Sequence, residues 1–144
     1  MPTQNAVEPT PEQIEAFLAR HEDGEPVFML NLLKFKDRAT YHDGEDVSGA
    51  EAYGRYAKAF GQMLRDQGLE GSETVFGGRV LDFMIGQDSD VPGGEWDAVA
   101  VVRYPDRKTM FAAVSNPEYR KIHKHRKAGL AGQLLIACDG SGVF

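Results

Sequence analysis

Residues 26–36 read PVFMLNLLKFK, and the fold turns on how that stretch alternates. As a strand it places Val27, Met29, Leu33 and Phe35 on one face and Phe28, Leu30 and Leu32 on the other, since successive side chains point to opposite sides of a sheet. A strand that is apolar at both parities is expected to be central and covered on both faces. Its polar exceptions are Asn31, which shares the face of Val27 and Met29, and Lys34, on the opposite parity. A buried amide without a partner costs about 1–3 kcal/mol. Asn31 is therefore expected either to bond a helix residue such as Tyr56 or His123, or to point into a polar pocket.

Upstream, residues 1–9 read as a loose lead-in and TPEQIEAFLAR as a helix over 10–21. Thr10 is its N-cap, Pro11 its first helical position and Gln13 the return arm of a capping box, with Ile14, Phe17 and Leu18 as the apolar stripe. HEDGEP then turns the chain into the first strand. Downstream, a polar loop over 37–47 leads to a second capping box, Ser48 with Glu51, and a helix running to Gly68. Tyr53, Tyr56, Ala57, Phe60, Met63 and Leu64 follow its helical repeat and mark the face to be buried.

TVFGGRVLDFMIG, residues 74–86, reads as a second strand with a bulge or close backbone approach at its glycine pair. QDSDVPGGE turns into a third strand, WDAVAVVRY, where Val99 and Val101 oppose Ala98, Ala100 and Val102. Asp106 and Asn116 look like the caps of two helical pieces, the second opening on Pro117 and stopped by Gly129. LAGQLLIAC is the last strand.

Apart from the leading helix the order is βαββαβ, the α+β ferredoxin-like arrangement, with the first and third strands in the middle of a four-stranded antiparallel sheet. No linker divides the chain, so residues 1–144 are expected to form one domain. Two main helices can cover only one sheet face; a second copy of the chain is the simplest cover for the other, which predicts a homodimer.

Composition narrows the partners. With 16 basic and 22 acidic residues the net charge is −6, which argues against general affinity for nucleic acid or an anionic membrane. No run approaches the roughly 18 apolar residues of a membrane span, and the N-terminus lacks the basic start and apolar stretch of a signal peptide; a cytoplasmic location is expected. Cys138, the single cysteine, cannot form an intrachain disulfide, and in QLLIAC it is read as a buried core thiol.

NLLKFK, AYGRYAKAF, FGGRV, WDAVAVVRYPDR and NPEYRKIHKHRKAGL, in that order, together resemble the "domain of unknown function 1330" family over about residues 26–138. The resemblance implies the dimeric α/β-barrel fold, in which two ferredoxin-like sheets face each other. That superfamily includes cofactor-free monooxygenases, muconolactone-type isomerases, haem-dependent chlorite dismutases and members with no known reaction. It implies no particular catalytic residue, and the leading helix lies outside it.

The densest polar cluster is YRKIHKHRK, residues 119–127. On a helical wheel Tyr119, Ile122, His123, Arg126 and Leu130 share the stripe that should meet the sheet. His123 is the candidate general base or substrate partner, or else a hydrogen-bonded boundary histidine. Arg126 needs a partner, because burying its charge alone costs several kcal/mol: either a structural acid, Asp82 or Asp97, or a substrate carboxylate. Tyr53, Tyr56 and Trp96 could line an aromatic pocket or serve as core, and Arg79 could meet a ligand beside the glycine pair or pair with an acid. His123 and His125 point apart and cannot chelate one ion. With no metal-binding, phosphate-loop or nucleophile motif in the chain, no metal or cofactor is expected. Two classes remain: a cofactor-independent enzyme of oxygenase or isomerase type acting on a small organic acid between sheet and helices, or a non-catalytic dimeric protein that binds a small molecule or is structural.

Overall fold

A computed structural model describes residues 6–20, 24–69, 71–86 and 96–140. Helix α1 spans Pro11–Arg20, and its capping box closes in both directions: Thr10 N donates to Gln13 Oε1 at 2.9 Å, and Gln13 N to Thr10 Oγ1 at 3.1 Å. Of the expected stripe only Phe17 packs inward, against Phe111 at 5.9 Å. Ile14 and Leu18 stay exposed, so α1 is an accessory and not a core helix.

Strand β1 (Val27–Phe35) leads through the polar loop to helix α2 (Gly49–Asp66), whose start is fixed by Glu51 N donating to Ser48 Oγ at 3.0 Å. Strands β2 (Glu73–Arg79) and β3 (Ala98–Tyr104) follow, then helices α3 (Arg107–Ser115) and α4 (Pro117–Gly129), and finally strand β4 (Leu130–Asp139). Both expected caps are present: Asp106 Oδ1 accepts from Thr109 N, and Asn116 Oδ1 from Glu118 N. The sheet order is β2-β3-β1-β4, antiparallel throughout, which is the ferredoxin-like α+β arrangement with the first and third strands central.

Register divides the sheet into two unlike faces. Val27, Met29, Asn31 and Leu33 pair with Tyr104, Val102, Ala100 and Ala98 and are buried under the helices. Phe17, Tyr56, Phe60, Met63, Leu64, Met110, Ala113, Tyr119 and Ile122 complete this core from the helical side. The other face carries one apolar row across all four strands, Phe76, Val101, Leu30 and Ile136, and a second made of Val99, Leu32 and Leu134. Within the single chain β1 alternates, buried on odd positions and half-exposed on even ones from 27 to 34, because all four helices pack on one side; the even face is the one a second copy is expected to cover.

Several local expectations change for related reasons. The second strand stops at Arg79, after which Leu81, Met84 and Ile85 project into solvent. Its register shift falls between Thr74 and Phe76, ahead of the glycine pair. Cys138 is exposed and not a core thiol; its register opposite Phe28 puts it on the open face at a sheet edge. Ala57 is exposed, while Ala52, a turn and a half earlier, is buried. Gly129 is the last helical residue and not a left-handed cap. The turn expected over 87–95 lies outside the described residues.

Candidate functional site

Asn31 begins a chain of polar contacts that runs from the middle of the sheet to the surface. Its side-chain NH2 donates to the backbone carbonyls of Met29 at 3.0 Å and Ala100 at 3.1 Å, and its Oδ1 accepts from Gln133 Nε2 at 2.5 Å. Gln133, buried on β4, accepts in turn from Arg126 NH2 at 2.5 Å. The Arg126 side chain is only 11% exposed, and its NH1 lies 3.6 Å from Glu8 Oε1. The same oxygen lies 3.1 Å from His123 Nε2. Five side chains from four segments thus form one line: sheet centre, edge strand, helix α4 and the lead-in ahead of α1.

Two expectations change here. Asn31 bonds neither Tyr56 nor His123; its partner is Gln133, because β4 lies beside β1 and presents an amide two register pairs along, on the same face. Arg126 answers to Gln133 and Glu8 and not to Asp82 or Asp97; Asp97 instead accepts from the Phe35 N–H at 2.7 Å, at the far end of β1. Asn31→Leu removes the acceptor of a buried Gln133 N–H and a donor to two carbonyls. An unsatisfied buried group costs about 1–3 kcal/mol, so urea denaturation of this variant is expected to show a loss near the middle of that range. An unchanged or higher midpoint would mean that the amide serves something other than the fold.

Next to the polar line stands an aromatic wall. Tyr53 and Tyr56 meet at 5.3 Å between ring centroids, Tyr56 and Tyr119 share their hydroxyls at 3.1 Å, and Tyr119 packs on His123 at 5.5 Å. Burial pushes the Tyr53 hydroxyl up to about 12 against the pull of Arg126; burial and the neighbouring Tyr119 raise Tyr56 as well. Both phenols stay protonated at neutral pH and can only donate or accept hydrogen bonds. Desolvation holds the His123 imidazole below its ordinary pKa, with Glu8 opposing and Arg126 and Lys127 reinforcing the shift. It is therefore neutral near pH 7, and toward Glu8 its Nε2–H donates.

The sequence-derived candidates thus separate. Asn31, Tyr53, Tyr56, His123 and Arg126 come together, whereas Arg79 is exposed on β2, two strands from Asn31. Trp96 is buried just before β3. His125 is directed away from His123 and meets the Tyr41 hydroxyl at 2.6 Å. Gln133 and Glu8 were missed. Gln133 carried the same signal as Asn31, an amide in an apolar strand; Glu8 carried none, sitting in an irregular lead-in.

Among the described residues no three His, Cys, Asp or Glu side chains converge to hold a metal ion, and no helix is long and apolar enough to cross a membrane. A groove between α2 and α4 is lined by Ala59, Met63, Ile122 and the acids Asp66 and Glu118, a charge unsuited to an organic acid.

A family model described as Domain of unknown function (DUF1330) matches residues 42–139. Among solved structures, the methylated RPA0582 protein, a protein of Rhodopseudomonas palustris, matches with a TM-score of 0.82 and 30% identity over 97% of this chain and 98% of that one. The Arabidopsis thaliana protein At3g17210 is similar with a TM-score of 0.56 and 12% identity, over 82% of this chain and 98% of that one. A ferredoxin-like protein of the dabb family from Mesorhizobium loti has a TM-score of 0.50 and 10% identity, over 82% and 99%. The last two are likenesses of fold alone. No curated protein matches the sequence.

Proposed function

The chain belongs to the family described as Domain of unknown function (DUF1330), and from that premise we propose that it is a homodimer that binds a small organic acid, with the acid's carboxylate held by Arg126 and His123. One observation carries the reading: a carboxylate, that of Glu8, already sits against both, 3.1 Å from the imidazole and 3.6 Å from the guanidinium. The site is built for an anion from below. Gln133 and Asn31 fix the guanidinium from the sheet side, and charge-assisted bonds to a preorganised arginine are the strongest way to hold a carboxylate. The half-buried Tyr53 and Tyr119 border it, which suits an aromatic or otherwise conjugated acid.

The catalytic version, a cofactor-independent oxygenase or isomerase, needs His123 as a base. With Glu8 in place, His123 Nε2 is turned to that carboxylate and not to a substrate proton. The binding reading is therefore preferred.

Benzoate is the simplest probe. Isothermal titration is expected to give saturable binding to the wild-type protein and none to Arg126→Met, which keeps most of the side-chain volume. Equal binding by both proteins would overturn the reading, as would an absence of saturable heat with the wild type that persists in Glu8→Gln.

A further inference from the structure

Glu8 is the least anchored member of the polar line. It belongs to an irregular segment whose described backbone pairing is one antiparallel bridge, Ala6 with Gln133. Pro9 follows it and can donate no backbone hydrogen bond. Helix α1 comes next and buries none of its residues; among its ties to the domain are Phe17 on Phe111 and an Arg107 guanidinium donating to the Leu18 carbonyl. The Glu8 side chain is 51% exposed, whereas the two groups it meets are more enclosed, His123 at 26% and Arg126 at 11%. The basic pair is thus part of the packed domain, and the carboxylate reaches it from outside.

We propose that residues 6–9 are a displaceable strap that carries a built-in ligand: Glu8 occupies the carboxylate subsite at Arg126 and His123, and an incoming organic acid must expel it to bind. This inference rests on the binding site proposed above and adds the step by which that site opens. The chemistry is an exchange of one carboxylate for another on the same two donors, so the charge at Arg126 is matched in both states. The free arginine, which would be costly to leave enclosed and unpaired, is never exposed as an empty site. What changes is the position of the strap. Its loss of one backbone bridge is small against the contacts that hold the sheet, as expected of segments that open locally. A tethered competitor lowers apparent affinity by the fraction of time for which it holds the site, so removing its charge should tighten binding of a free acid.

Titration of benzoate into full-length wild type, Glu8→Gln and Glu12→Gln tests this. Replacing the charged partner by a neutral one of the same shape weakens the internal bond by roughly half, so Glu8→Gln is expected to bind benzoate about tenfold more tightly than wild type, with a tenfold change corresponding to ~1.4 kcal/mol. Glu12→Gln, in the exposed first turn of α1, should match wild type. Amide exchange at residues 6–8 of the wild type should accelerate when benzoate is bound. Equal affinities for wild type and Glu8→Gln, or exchange at 6–8 unaffected by bound benzoate, would overturn the strap and leave the binding site standing. Absence of binding to both wild type and Glu8→Gln would instead overturn the site and the strap with it.

Discussion

At micromolar concentration the protein is expected to sediment as a homodimer, and Leu30→Asp to sediment as a folded monomer. Leu30 lies on a central strand in the middle of the row Phe76, Val101, Leu30 and Ile136, on the sheet face that no described helix covers. Phe76 is 59% exposed and Ile136 is 44% exposed, and a continuous apolar band of this kind marks an association surface more often than a solvated one. Beyond the end of β2, Leu81, Met84 and Ile85 are almost fully exposed as well. A carboxylate introduced at Leu30 would be buried and unpaired in a face-to-face dimer, at a cost of several kcal/mol. Each 1.4 kcal/mol is tenfold, so the dissociation constant should rise by about a thousandfold. In the separate chain the same position is half-exposed, so far-ultraviolet circular dichroism should hardly change. A wild type that sediments as a monomer, or a Leu30→Asp protein that stays dimeric, would end the homodimer proposal.

That surface also explains which parts of the structure were legible in the sequence. Apolar residues at both parities of 27–35 identified a central strand correctly, because hydrophobicity reports whether a face avoids water. It does not report whether the cover comes from the same chain, so burial of Leu30 and Leu32 under this chain's own elements did not follow. Cys138 was misplaced by the same ambiguity: an apolar neighbourhood on an edge strand can belong to an open face. The helix starts at Thr10, Ser48, Asp106 and Asn116 were readable because capping is local chemistry between residues three or fewer apart. The candidate site was half readable. Arg126 and His123 advertised themselves as polar residues on a helix face that must meet the sheet, but their partners come from other elements, Gln133 from the strand that follows that helix and Glu8 from the lead-in near the other end of the chain. Helix α4 and strand β4 place Arg126 and Gln133 across a tight corner at Gly129, a geometry that residue type does not report.

That corner carries the second large effect. Gly129→Ala is expected to destabilise the protein by about 3 kcal/mol, the upper end of the range for overpacking. A Cβ at 129 would lie 2.5 Å from the Gly49 carbonyl oxygen, 2.8 Å from the Tyr53 nitrogen and 3.2 Å from the Ala52 Cβ. Two of these are backbone atoms at the start of α2, which cannot rotate away as a side chain could. Both helices are also tied to the chain that follows β1, by Lys36 N to the Gly129 carbonyl at 2.8 Å, Gly49 N to the Lys36 carbonyl at 3.1 Å and Thr40 N to the Ala128 carbonyl at 3.0 Å, so α4 cannot move off α2 without straining these links. The sequence suggested another role for this glycine, a left-handed helix stop. The two roles predict different tolerances: a left-handed cap accepts asparagine, whereas a close backbone crossing rejects any side chain. Gly129→Asn should therefore be at least as unstable in urea as Gly129→Ala. Gly54→Ala, where an added Cβ meets nothing within 4 Å inside α2, should instead stabilise by up to about 1 kcal/mol through helix propensity. If Gly129→Asn kept wild-type stability, the crossing of α2 and α4 would not be what requires glycine there. The consequence reaches the site as well, since Arg126 and His123 stand within two turns of that corner on α4 and Tyr53 on the facing turn of α2, so a displaced α4 should weaken benzoate binding in whatever fraction of Gly129→Ala remains folded.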